Sequence, residues 1–128
     1  MSAPLDKIQI IKGWTENGNI NEEVYDVICS DDREINNRNN KCKETKASVN
    51  FENCSFDENY GSDQLEVIWT DTEYTPDQNT FYYARAIENP TCRWSTYDSI
   101  RIDEKPAKNY PKIMREMAWS SPIWIKNN

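Results

Sequence analysis

The sequence predicts an all-β protein, an immunoglobulin-like β-sandwich of about seven strands with long polar loops and one short helix near the C-terminus. Three observations predict it. Short runs rich in Ile, Val, Tyr and Trp alternate apolar and polar residues with period two. Turn-forming residues separate those runs. One segment alone, after Pro111, carries a helix-start signal. With 128 residues, a single domain spanning 1–128 is expected.

Lys7–Trp14 alternates as a strand with Ile8, Ile10 and Trp14 on one face. Asn17-Gly18 follows, a pair in which both residues tolerate positive φ. Val24–Cys29 is the second strand, so these two runs form a hairpin with a loose connection. Residues 31–47, DDREINNRNNKCKETKA, form a long polar loop with little to bury, and Cys42 is its natural tether. Ser48–Phe51 reads as a short strand and Cys54–Gln64 as another polar loop. Leu65–Thr70 reads as a strand, β-branched and aromatic, with Leu65, Val67 and Trp69 on one face. In the loop Tyr74–Asn79, Pro76-Asp77 suits the centre of a type I turn. Phe81–Glu88 has apolar groups on both faces, as a central strand does, and Arg85 within it needs a partner. Ser99–Asp103 reads as a short strand or edge. Pro111 opens a helix over Lys112–Ala118, and Ile123–Lys126 is the last strand.

A net charge of -7 argues against nucleic acid as a partner, because a binder needs a basic face to neutralise phosphates. It also disfavours docking on anionic membranes. No apolar run approaches the roughly 20 residues of a spanning helix. The N-terminus, Met1-Ser-Ala-Pro-Leu, leads straight into a strand and does not read as a signal peptide. The chain is therefore expected to be cytosolic or a piece of a longer exported protein. Four cysteines, Cys29, Cys42, Cys54 and Cys92, favour the second: their spacing fits no zinc site, and an even number among polar loops reads as two disulfides in an oxidising compartment. Three connectivities are open; the reading leans to Cys29–Cys42 with Cys54–Cys92.

The chain has no histidine, so no Ser-His-Asp or Cys-His nucleophile can form within it. Asp and Glu are plentiful but sit in polar loops, where solvated charges are the rule. Asp57, Asn59 and Asp63 place oxygen ligands at alternate positions, a weak calcium candidate that lacks the Gly and terminal Glu of an EF-hand loop. Trp14 and Trp69 lie on strand faces and are expected to pack in the core. Arg93 and Trp94, with Tyr97 and Asp98 nearby, form the one distinctive polar-aromatic cluster. Arg93 could serve there as a planar anion fork, or Trp94 could plug the sheet end while Arg93 pairs with a carboxylate. No catalytic residue is assigned.

Several landmarks in order carry a resemblance: IQIIKGW, VYDV, LEVIWTDTEYTPDQNT, FYYARAIENPTCRWSTYDSIR and MREMAWSSPIWIK. Together, from about Asp6 to Ile125, the chain resembles the C-terminal part of a bacterial family known as domain of unknown function 3604. The resemblance implies that members are much longer, with N-terminal His-rich motifs similar to those of PHP-class metal-dependent hydrolases, where His ligands hold divalent metals and activate water. No metal ligand carries over to this chain, and no cofactor is expected in it. The resemblance also implies that Phe81–Glu88 and Trp119–Ile125 pair as antiparallel neighbours, with residues 89–118 inserted between them. On this basis the chain is expected to be a non-catalytic C-terminal domain, periplasmic or secreted, that braces the parent's own N-terminal catalytic domain and lends Arg93 and Trp94 to the rim of its site. The alternative is an independent carbohydrate- or calcium-binding module.

Overall fold

The computed structural model describes residues 2–105 and 108–126. Its longest feature is the hairpin of β1 (Leu5–Glu16) and β2 (Asn19–Cys29), joined by Asn17-Gly18. Both turn residues have positive φ, 51° and 78°. Such a turn matches the right-handed twist of the flanking strands, so the connection is tight and the strands run longer than the hydrophobic alternation alone predicted.

The opposite edge of β1 pairs antiparallel with β5 (Thr80–Glu88). The outer edge of β5 is shared by two short strands, β8 (Met117–Trp119) and β9 (Ile123–Ile125). The principal sheet thus runs β2-β1-β5-β8, with β9 beside β8 on β5. β5 is central, as its two apolar faces predicted, and its partner is the distant Trp119–Ile125 segment. Two small ribbons complete the strands: β3 (Ile35–Asn36) with β4 (Lys41–Cys42), and β6 (Thr91–Cys92) with β7 (Ile113–Met114). One helix, α1 (Trp94–Arg101), lies between β6 and β7. The fold is all-β, antiparallel and sandwich-like; the principal sheet is open at both ends and closes no barrel.

The core is thin. Ile11 and Ile87 are buried on the sheet, together with Tyr25 and Val27 of β2. Three of the disulfide cysteines, Cys29, Cys54 and Cys92, are themselves buried. The bridges are Cys29–Cys42 and Cys54–Cys92. A core this small gains much of its persistence from such staples. Two glycines permit close approaches. Phe81 lies over Gly13, where a Cβ would come within 2.3 Å of its ring. Gly61, at φ 100°, lets the loop meet Pro4 and Asn89, where a Cβ would lie 2.5 Å from the Pro4 side chain.

Four predicted elements differ. Leu65–Thr70 is not a strand. It is an unpaired segment, with Ile68 96% exposed and Trp69 turned inward onto Tyr25 and Tyr82. The alternation there signals one-sided burial, and the ladder hydrogen bonds that would make it a strand are not formed. Ser48–Phe51 contributes one isolated bridge, Val49 to Phe56. Ser99–Asp103 is the end of α1 and the turn after it. Lys112–Ala118 is not a helix. Good helix formers there are overridden by tertiary pairing: Ile113 and Met114 join Thr91–Cys92, and Met117–Trp119 joins β5. The helix forms instead where Thr96 Oγ1 reaches the Lys112 carbonyl at 2.8 Å and the adjoining Cys92 is disulfide-bonded.

Candidate functional site

Antiparallel register puts cross-strand partners on one side of the sheet. Ile8, Ile10, Lys12 and Trp14 share one face with Tyr25, Tyr82, Ala84 and Ile123. Lys7, Gln9 and Ile11 share the other with Asp26, Arg85, Ile87, Met117 and Trp119.

The first face is crossed by the segment carrying Trp69 to Glu73. Lys12 would be a buried, unpaired cation without it. Its ammonium meets Asp71 at 2.6 Å, and the two side chains are 3% and 9% exposed. Tyr82 donates to the same carboxylate at 2.6 Å, and Tyr25 donates to Glu73 at 3.0 Å. Burial alone pushes Asp71 up, but the hydrogen bonds from Lys12, Tyr82 and the Glu73 amide outweigh it, so the carboxyl stays below the usual range. Burial, reinforced by the carboxylate each donates to, raises both tyrosine hydroxyls well above the ordinary phenol value. These groups are therefore locked donors and not bases. Beside them Ile10, Trp69, Tyr74, Tyr82, Ile123 and Ile125 line an open groove of about 410 Å³.

That groove runs onto the most conspicuous surface of the molecule. Every residue of β8 and β9 is exposed. Trp119 is 59% and Ile123 67% exposed, and Met117, Trp124 and Ile125 are exposed with them. The exposed apolar groups lie on both faces: Met117, Trp119 and Trp124 on one, Ile123 and Ile125 on the other. Trp124 rests on Phe81 at 4.9 Å between ring centroids.

The predicted polar-aromatic cluster sits on the β6-α1-β7 excursion. Arg93 caps α1 through its backbone, and its guanidinium lies 5.9 Å from the Trp94 ring and 5.0 Å from the Tyr110 ring. Trp94 is 65% exposed and does not plug the sheet. Tyr97 donates to the Cys54 carbonyl at 3.3 Å, anchoring the helix beside the disulfide, and Asp98 is exposed. Arg93 and Trp94 therefore stand together, while Tyr97 is turned to the scaffold. Tyr110 is the member that sequence reasoning missed. Of the calcium candidates, Asp57 Oδ1 accepts from the amide and side chain of Asn59, both at 2.9 Å, and Asp63 is exposed. Among the described residues no three His, Cys, Asp or Glu side chains come together as a metal-ligating group.

The family model described as "Protein of unknown function (DUF3604)" matches residues 1–127. The chain belongs to the DUF3604 family. No curated protein and no solved structure matches it. The DUF3604 chain carries two disulfides, chemistry that persists in oxidising compartments, and no described helix is long and apolar enough to cross a membrane.

Proposed function

We propose that this DUF3604 chain is the non-catalytic C-terminal domain of a longer, exported bacterial protein resembling the PHP-class metal-dependent hydrolases, and that it braces the catalytic part by docking through β8 and β9. One observation carries the reading. β8 and β9 present apolar side chains on both faces, and every one of their residues is exposed. An edge strand that meets water is normally blunted by charge, by Pro or by a covering segment, and apolar residues on both faces belong to strands inside a sheet. The occupant is the parent's own N-terminal part, tethered to the same chain and so present at high effective concentration. The divalent metal would be held there, because this chain has no histidine and its described acids do not converge.

The rim cluster of Arg93, Trp94 and Tyr110 extends the same reading: a cation lying near two rings could meet an anionic group at the edge of the catalytic site. The test is made in the full-length parent. Trp119→Glu with Ile123→Asp is expected to split one melting transition into two and to lower specific activity. A single, unshifted transition with normal activity would contradict docking. Arg93→Ala is expected to lower activity at unchanged stability, and loss of stability alone would leave Arg93 a structural residue. Calorimetric titration of the 128-residue chain with calcium and with glycans checks the rival module, which saturable binding of either would favour.

A further inference from the structure

The face of the sheet opposite the aromatic groove carries a second site, which stands apart from the docking reading. A cavity of about 270 Å³ opens there over β1 and β5. Five basic side chains line it, Lys7, Arg33, Lys43, Arg85 and Arg115, against two acidic ones, Asp6 and Glu44. The chain as a whole is strongly acidic, at -7, so this is a local reversal of charge built on the paired strands β1 and β5.

The basic groups are not equivalent. Arg33 is consumed by structure: it donates to Asp6 and to the carbonyls of Ser30, Lys43 and Asp6. Lys43 pairs at the surface with Glu34. Arg115 shares the one Asp6 carboxylate with Arg33, so that acid, 2% exposed, faces two guanidiniums. Lys7 pairs with Asp26 at 2.9 Å. Asp26 is itself divided among Lys7, the Gln9 amide and the Cys42 N–H.

Arg85 is different again. Gln9 lies directly opposite it in the sheet and gives its NH₂ to Asp26 at 2.6 Å. That bond fixes the amide with its oxygen toward Arg85, whose Nε donates to it at 2.8 Å. Arg85 is thus aimed by a neutral acceptor. Among the described residues no carboxylate pairs with it, and its two terminal nitrogens have no acceptor. A guanidinium held by Nε presents the Nη pair as a fork matched to the two oxygens of a carboxylate, phosphate or sulfate. A group placed there also feels Arg115, which shares the single Asp6 carboxylate with Arg33, while Lys7 beside it is paired with Asp26.

We propose that this cavity binds a small oxyanionic ligand, gripped by the terminal nitrogens of Arg85 with Arg115 and Lys7 beside it. At about 270 Å³ the cavity has room for a single charged group with a small organic remainder. The experiment titrates the oxidised 128-residue chain with inorganic phosphate, sulfate and acetate at constant ionic strength, following amide and Arg side-chain resonances by NMR. Saturable shifts centred on Gln9, Arg85 and Arg115 are expected, and the order among the three anions reports tetrahedral against planar recognition. Arg85→Gln should weaken binding about tenfold or more, the scale of a charge-assisted bidentate contact. Lys43→Gln should change it less than about twofold, as an exposed pair does. Arg85→Lys keeps the charge but loses the fork; it decides the question if the Gln variant does not fold, and should still weaken binding severalfold. Absence of saturation, or equal affinity in the Arg85 variant that folds, would overturn the proposal.

Discussion

The two edges of the principal sheet are finished in opposite ways. On the β2 edge, the β3–β4 ribbon folds back and covers the strand. Asp26 N–H donates to the Asn40 carbonyl at 2.9 Å, Lys41 Nζ to the Val24 carbonyl at 3.3 Å, and Cys42 N–H to Asp26 Oδ2 at 2.8 Å. The Cys29–Cys42 disulfide then pins the ribbon in place. The long Asn-rich loop is therefore the cover of an edge. At the β8–β9 edge the described residues provide no such cover, and the side chains there are Trp, Ile and Met, not charges. One edge is complete within the chain. The other leaves apolar side chains exposed on both faces, and the proposed docking rests on that difference.

Substitutions at the two edges should therefore fail differently. The largest effect is expected between the edges, on the interior strand β1. Lys12→Met leaves Asp71 buried without its cation and should cost about 3–5 kcal/mol of stability, measured by chemical denaturation. A cost below about 1 kcal/mol would show that the segment 69–73 is not held by that pair. Next, Cys29→Ser with Cys42→Ser should cost about 2–4 kcal/mol and unmask the β2 edge, so aggregation should rise with it. Unchanged melting would mean that hydrogen bonds alone secure the ribbon.

The third prediction uses pH. Burial raises Asp26, but the Cys42 amide, Gln9 and Lys7 together bring it below the ordinary carboxylate value. A carboxyl whose folded value is depressed adds stability that is fully present above its unfolded value near 3.9 and is lost as pH falls through the folded one. Protection of the Cys42 amide from exchange should therefore hold down to about pH 4 and fall below it. In Asp26→Asn that pH step should vanish. The smallest effect belongs to the open edge. Trp119→Glu with Ile123→Asp should shift the stability of the 128-residue chain by less than about 1 kcal/mol, because both side chains already meet water.

The finished half was also the more legible. Asn17-Gly18 announced the hairpin, the two-sided run Phe81–Glu88 announced a central strand, and the cysteine pairing followed the reading. The pairing of Phe81–Glu88 with Trp119–Ile125 came from family resemblance; separations of this size leave no local trace. Where local pattern misled, the cause was tertiary. Leu65–Thr70 has strand residues but crosses the face of the sheet, with Trp69 packed on Tyr25 and Tyr82 and no ladder formed, and Lys112–Ala118 has helix formers claimed by β6 and β5. The cationic cavity was hidden because Lys7, Gln9, Asp26 and Arg85 meet only once β1, β2 and β5 are in register, and Arg115 joins them only once β8 pairs with β5. Its one local signal was an Arg at position 85 in an otherwise apolar run. The partner proved to be an amide, which is why that charge is still available.

Hydrogen–deuterium exchange of the 128-residue chain beside the longer protein proposed as its parent tests the central claim most directly. Docking predicts that amides of Met117–Trp119 and Ile123–Ile125 exchange at least about tenfold more slowly in the parent, while those of Lys41–Cys42, already covered, do not change. Equal exchange at β8 and β9 in the two proteins would contradict it.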